Sequence, residues 1–256
     1  MSDHANPHAA SRRLKTLNAL HRGLMRRDPP VDLLSRILDA ATTLLPAPVC
    51  ALWRSEARGI PETLRLEAFR GLAGRRAFPR TLLLAGSFSE RAMLDRRSEA
   101  VYDLGRTTGS PEEAMASPRG LASLLCVPII LEAADQVGAL HCYTPAPHAF
   151  SPLEIETAEA LALLIAGSWL RAGSRKQVQA LKEELETRKQ VDRAKEILMD
   201  RRNLTAGDAY RWIQKRSMDT RRSMREVAEA VILAEVSGRY SSIPHALDFS
   251  KKSPRK

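Results

Sequence analysis

Two apolar, β-rich runs face each other across a short polar stretch. Leu124-Leu125-Cys126-Val127-Pro128-Ile129-Ile130 and Val137-Gly138-Ala139-Leu140-His141-Cys142-Tyr143 flank Glu132–Gln136. Runs of this length on either side of a brief polar spacer read as a hairpin, which favours an antiparallel sheet in this part of the chain. Pro128 has no amide proton to give a ladder and implies a sheet edge, a bulge or an irregularity. Two further strand-like runs precede the pair. Val49–Trp53 is one, and Thr63–Phe69, which alternates apolar and polar, is the other, with Gly71 and Gly74 marking a turn after it. Between Gly74 and Gly120 the signals are mixed: a short helix near Ser89–Leu94, a strand fragment Ala100–Leu104, and a loop over Gly105–Gly120.

Helices bracket this strand-rich middle. Residues 12–26 place Leu14, Leu17, Leu20 and Leu24 on one side of a helix that Asp28-Pro29-Pro30 ends. Leu33, Leu34, Ile37, Leu38, Ala41 and Leu45 follow at helical spacing until Pro46 and Pro48. Ser151-Pro152-Leu153-Glu154 has an N-cap with proline at the first helical position. It opens a helix through Ile155, Ala158, Leu161, Ala162 and Ile165 to about Leu170. Segregated strands and helices point to an α+β domain with a central, mainly antiparallel sheet flanked by helices. Residues 1–11 read as a disordered N-terminus, where His4 and His8 have no third ligand nearby.

The last third of the chain differs in kind. Residues 1–170 carry 19 basic and 18 acidic side chains, and residues 171–256 carry 21 and 12. Nearly all of the net charge of +10 therefore lies after residue 170. A localised basic excess is the electrostatic footprint of a polyanionic partner, with a membrane surface as the other usual choice. Val178, Leu181 and Leu185 have the spacing of a coiled-coil seam, which makes residues 172–187 a linker helix able to pair two protomers. Then Val191, Ala194 and Leu198 share one helical face, with Ile197 beside it. Asn203 and Gly207 read as terminators around a turn, and Thr205-x-x-Asp208 as a capped start. A second helix turns Ala209, Trp212 and Ile213 inward. Ser223-x-x-Glu226 opens a third, with Val227, Ala230, Val231 and Ala234 inward and Gly238 at its end. Three short helices on one small core result. Residues 238–256 read as a flexible basic tail.

Two family resemblances fit this order. Residues 12–171 resemble a GAF domain, on the segment GLASLLCVPIILEAADQVGALHCYTPAPHAFSPLEIETAEALA. It holds a proline-containing strand step, a hairpin, a Val-Gly-Ala-Leu strand, and Phe150-Ser151 with Glu154 opening the last helix. GAF domains are ligand-sensing modules, so the resemblance implies a small-molecule ligand of unknown identity in a cleft between sheet and irregular region. Here that places Trp53, Phe69, Phe88, Tyr102, Asp103, Ser123, Cys126, His141 and Tyr143 around it. Each of these also reads as ordinary core. The His141-Cys142 order is the reverse of the Cys-His pair of bilin-binding members, which counts against a linear tetrapyrrole.

Residues 178–237 resemble the ANTAR family along their whole length. The matching positions are Arg188, Val191, Ala194-Lys195, Ile197-Leu198-Met199, Ala209-Tyr210, Ile213, Ser217-Met218, Arg221, Met224, Val227-Ala228 and Val231-Ile232. Glu196 stands where many members carry glycine. The resemblance implies an RNA-binding output that favours an antiterminator over a terminator hairpin in nascent leader RNA. It implies a homodimer, and contact with transcribing RNA polymerase only indirectly. Residues 188–225 hold 12 basic and 5 acidic side chains, in keeping with such a partner. Arg188, Lys195 and Arg202 recur at seven-residue spacing, and Arg211, Lys215 and Arg222 line a second face. With Lys189, Arg193, Arg221 and the aromatic Tyr210 they form the expected RNA-binding set, because unpaired loop bases are held by stacking and by guanidinium groups. Trp212 shares phase with Ala209 and Ile213 and reads as core.

Other functions fit less well. No nucleotide-binding, hydrolase or metalloprotease motif is present, and no metal-spaced Cys/His cluster, so no catalytic or metal site is expected. A DNA-binding output is opposed by a third helix with Arg225 as its only clear base. A protein-interaction output, with the basic face docking an acidic partner, remains as an alternative. No signal peptide or membrane span is evident, so a cytoplasmic protein is expected. Cys50, Cys126 and Cys142 make no paired motif and read as small buried hydrophobes.

Overall fold

The computed structural model describes residues 7–26, 28–56, 59–71, 77–107, 109–131 and 136–237. They divide into two units, Met1–Ser174 and Arg175–Lys256. The first contains α1 (Pro7–Arg26), α2 (Pro30–Leu44), β1 (Val49–Ser55), β2 (Thr63–Arg70), β3 (Thr81–Leu83), α3 (Phe88–Asp95), β4 (Glu99–Val101), α4 (Pro111–Ala116), β5 (Ser123–Leu131) and β6 (Gln136–Thr144). Helix α5 (Pro152–Arg202) begins in this unit and ends in the second, which adds α6 (Ala206–Thr220) and α7 (Met224–Val236).

The sheet runs β3-β2-β1-β6-β5-β4, and its neighbours pair antiparallel. The expected hairpin is β5–β6, with Leu124 opposite Tyr143 and Ile130 opposite Val137. Pro128 lies past the reach of β4, which pairs only with Leu124–Cys126. That edge of β5 can therefore lack an amide donor without breaking a ladder. All nine residues of β6 are buried. Period-2 alternation sorts the strand residues between two cores. Cys50, Leu52, Leu125, Val127, Leu140 and Cys142 join α1, α2 and α5 on one face. Val49, Ala51, Trp53, Leu124, Cys126, Ala139 and Tyr143 join α3 and α4 on the other.

The helices form largely where periodicity places them. In α2, Leu33, Leu34, Ile37, Leu38 and Ala41 are buried, as is Leu45 just beyond it. In α1, Leu20 is buried and Leu17 and Leu24 pack against the core, but Leu14 is exposed. Helix α1 starts at Pro7, five residues before the expected boundary. Proline at the first helical position and the alanines behind it favour that earlier start. Residues 1–6 and the tail 238–256, with Gly238 in it, lie outside the described residues, as does Gly74.

Two corrections fall on the mixed region. The strand fragment expected at Ala100–Leu104 is β4 at Glu99–Val101, and Leu104 opens a 3-10 turn. The stretch Gly105–Gly120 is not a plain loop. Ser110 caps α4 through the Glu113 amide, with Pro111 at the first position. That is the same Ser-Pro-x-Glu start that correctly marks α5.

In the second unit, Val191, Ala194, Leu198, Ala209, Trp212, Ile213, Val227, Ala228 and Val231 form one core. Ala228 takes the inward place expected for Ala230, which is exposed. Positions 224, 227, 228 and 231 share a face, and position 230 lies about 100° away from 231. Gly207 is inside α6 rather than a terminator; Asn203, at φ 52°, makes the turn. Thr205 caps α6 by accepting from the Asp208 amide, and Ser223 with Glu226 completes a reciprocal capping box on α7.

Candidate functional site

The residues expected around the sensor cleft separate into two groups. Trp53, Phe88, Ser123, Cys126, His141 and Tyr143 are buried. Phe69 and Tyr102 are not: they are 38% and 55% exposed, although Phe69 still meets the Phe78 ring edge-on. Asp103 is spent on a 3-10 turn, where its carboxylate accepts from the Gly105 amide. Ser123 donates to the Ala146 carbonyl and accepts from the His148 amide, so it holds a loop rather than facing a cleft.

The buried group organises around a carboxylate that the sequence did not single out. Glu112, on α4, accepts from the Phe88 and Ser89 amides at 3.1 and 3.0 Å. It thus lies against the N-terminus of α3, where the helix dipole favours an anion. The Ser89 hydroxyl donates to Glu112 at 2.9 Å and lies 2.7 Å from His141 Nε2. Its one proton is committed to the carboxylate, so His141 Nε2–H must be the donor to Ser89. Nδ1 is then the bare nitrogen and accepts from the Tyr143 hydroxyl at 2.9 Å. Burial pushes the His141 pKa from 6.5 down to about 3, in agreement with a neutral ring. Burial pushes the Tyr143 hydroxyl up, with the Glu112 charge adding to it. The Cys126 thiol donates to Ser89 at 3.7 Å, and burial raises its pKa as well. The chain Tyr143–His141–Ser89–Glu112 is therefore a directional, neutral-to-anion hydrogen-bond network inside the sheet's second core. The Ser110-Pro111-Glu112 helix start is the sequence signal that locates its acidic end.

Cys50 and Cys142 are also closer than the sequence suggests. They are direct cross-strand partners with sulfurs 3.7 Å apart. Among the described residues no group of three or more His, Cys, Asp or Glu side chains is placed to hold a metal ion.

The basic residues of the second unit are likewise of two kinds. Arg188, Lys189, Arg193, Arg211, Lys215, Arg221 and Arg222 are exposed, and Tyr210 is 43% exposed. Lys195 and Arg202 are half-buried. Lys195 pairs with Asp192 at 3.0 Å, and the Arg202 guanidinium lies 5.1 Å from the centre of the Trp212 ring. Trp212 itself is buried in the core, and Arg211 pairs with Asp208 at 2.6 Å. Arg188, Lys195 and Arg202 all fall within helix α5, so their heptad spacing does place them along one side. Arg222 does not continue the Arg211–Lys215 face: α6 ends at Thr220, and Arg221 and Arg222 form the turn into α7. Arg221 there adopts φ 54°, a backbone state that glycine occupies more cheaply. Among the described residues no helix is long and apolar enough to cross a membrane.

These features define a sensor-type α+β unit and a basic three-helix unit. The GAF-domain family model matches residues 29–169, and the ANTAR-domain model matches residues 179–232. The chain belongs to the GAF-domain family and carries a C-terminal ANTAR domain. The transcriptional regulatory protein PdtaR of Mycobacterium tuberculosis is 48% identical over 56 residues, 22% of this chain. That match spans 27% of the length of the relative. The first unit has the fold of the GAF domain from a phosphoenolpyruvate-protein phosphotransferase of Coxiella burnetii, at TM-score 0.53 and 18% identity, covering 64% of this chain and 96% of that one. It also matches a free methionine-R-sulfoxide reductase of Neisseria meningitidis, in complex with its substrate, at TM-score 0.52 and 14% identity, covering 69% and 95%.

The network has a pH signature. The folded chain binds a proton at His141 only near pH 3, whereas the unfolded chain does so near 6.5. Between those values the unfolded state holds more protons, so stability falls as pH falls, by about 1.4 kcal/mol per unit. Above 6.5 the group adds no slope. Urea unfolding of wild type and His141→Gln from pH 7 to pH 4 measures this. The stability gap between them should narrow below pH 6.5, and a gap constant with pH would show that His141 is not a buried neutral ring.

Proposed function

We propose that this protein is a transcription antitermination regulator. Its ANTAR domain binds paired stem-loops in nascent leader RNA, and its GAF domain controls that binding. The observation that carries this is the basic surface of the ANTAR unit. Its core is complete without the exposed cations Arg188, Lys189, Arg193, Arg221 and Arg222, which leaves them and Tyr210 available for phosphates and loop bases, and Arg211 joins them on release from Asp208. Arg221 sits in a turn where its backbone favours glycine, which fits a side chain kept for contact rather than for folding. Lys195, Lys215 and Arg202 complete the interface, with Lys195 released from Asp192 when phosphate approaches. Glu196 is exposed on α5 and opposes close phosphate approach at that point.

The chain acts as a regulator, not a catalyst, and its link to RNA polymerase is indirect. A DNA-reading α7 is disfavoured, because its one arginine, Arg225, pairs with Glu229 at 2.8 Å and the helix also carries Glu226 and Glu235. We place the protein in the cytoplasm, where nascent RNA is. The GAF domain holds a small-molecule signal on the side of the sheet that carries His141 and Tyr143. Two chains pair along Val178, Leu181 and Leu185, which are 51%, 58% and 55% exposed in a single chain.

Two measurements test this reading. In a mobility-shift titration, the full chain should bind a paired-stem-loop leader RNA tightly and lose that binding when the loop bases are changed. Arg188→Ala and Arg221→Ala should each weaken binding about tenfold and lower the salt slope by about one. Equal binding to loop-changed RNA and to duplex DNA would contradict it. In sedimentation, wild type should run as a dimer and Leu181→Lys as a monomer. A monomeric wild type would remove the dimer from the proposal.

A further inference from the structure

Two thiols face each other at the centre of the sheet. Cys50 in β1 and Cys142 in β6 are direct antiparallel partners, 92 positions apart in the chain. Both are fully buried on the face that α1, α2 and α5 cover, and their sulfurs are 3.7 Å apart. Cys50 Sγ is also 3.7 Å from the Ala47 carbonyl, which can only accept. The Cys50 S–H therefore goes to Ala47, and the Cys142 S–H goes to the Cys50 sulfur. The third cysteine, Cys126, belongs to the core on the other face, where its thiol donates to Ser89.

The backbone already suits a covalent link between the facing pair. Directly opposite residues of antiparallel strands have Cα atoms about 4.5–5.5 Å apart, inside the range of about 4.4–6.8 Å that a disulfide spans. Side-chain rotation with a small strand adjustment brings the sulfurs to the bonding distance of about 2.05 Å. The two thiols also differ in role. The bond to Cys50 and burial hold the Cys142 thiol protonated well past its usual range. Cys50 receives that proton and is the sulfur on which negative charge is stabilised.

We propose that Cys50 and Cys142 are an oxidation site, at which a hydroperoxide converts the facing thiols into a cross-strand disulfide. Cys50 attacks the peroxide, the O–O bond breaks, and the leaving hydroxide takes the Cys50 proton as water, which leaves a sulfenic acid on Cys50. Cys142 then attacks that sulfur. The S–O bond breaks as the S–S bond forms, and the hydroxyl leaves with the Cys142 proton as a second water. Two thiols thus lose two electrons to one peroxide. Burial makes the site slow and favours a small uncharged oxidant over a bulky disulfide. The link joins β1 to β6 across 92 positions, so it constrains the unfolded chain strongly and locks the sensor sheet. It depends on the first unit alone and holds whether or not the second unit binds RNA.

The test treats the folded full chain with hydrogen peroxide, alkylates the remaining thiols after denaturation, and reads the unreduced peptides by mass spectrometry. Cleavage after Glu132 separates Cys126 from Cys142. A Cys50–Cys142 peptide two hydrogens lighter than the free pair is expected, with Cys126 alkylated. The oxidised chain should melt roughly 10 °C higher than the reduced one, and dithiothreitol should reverse the rise. Cys50→Ala and Cys142→Ala should each lose the peroxide-dependent rise, and Cys126→Ala should keep it. Three results would overturn the proposal: both cysteines still alkylated after peroxide, a link that involves Cys126, or a link that forms only once the chain is unfolded in urea.

Discussion

Burial of β6 on both faces is the constraint on which the first unit depends. A strand covered on one side only can leave its alternate residues in water. Here β1 and β5 flank β6 and two separate cores cover it, so all nine of its residues are buried. Gly138 is required at one of these crossings, because a Cβ would stand 2.3 Å from the Trp53 carbonyl and 2.5 Å from the Trp169 ring. His141 is drawn into an apolar interior by the same geometry. A buried imidazole must be neutral and satisfied, and Ser89 and Tyr143 satisfy both of its nitrogens. Glu112 ends the network against the amides of α3, so helix placement and sheet packing fix one another.

The second unit rests on a smaller contact set. Val191, Ala194 and Leu198 from α5 meet Trp212 from α6 and Val227, Ala228 and Val231 from α7. Arg202 covers the face of Trp212, and Arg201 ties α5 to Glu235 of α7 at 2.5 Å. Two basic residues thus brace the fold of this unit. The capping residues Thr205 and Ser223 fix where α6 and α7 begin, and with that the turn that carries Arg221 and Arg222.

Much of this is legible in the chain itself. Strong periodicity gives α2, β5, β6 and the inner faces of α5 and α6, because a run of large apolar residues at one spacing has only one way to be buried. Short elements are harder. Helix α4 is six residues long and starts from a Ser-Pro-Glu-Glu signal that composition alone hides in a loop. Its buried Glu112 is invisible for a related reason: an acidic residue reads as solvent-facing until its amide partners, 23 and 24 residues away, are known. The sensor set shows the opposite case. Phe69 and Tyr102 are large and aromatic, and size alone suggests burial, yet they are partly open to solvent, with Phe69 still touching Phe78. Among the basic residues, heptad spacing correctly aligns Arg188, Lys195 and Arg202. It fails for Arg222, because α6 stops two residues earlier.

The most direct test of the central claim is single-round transcription across a leader that places paired stem-loops before a terminator. Adding the full chain should raise the ratio of read-through to terminated transcript, and Arg188→Ala with Arg221→Ala should abolish the rise. An unchanged ratio, at concentrations where the protein binds the same leader RNA, would contradict an antitermination function.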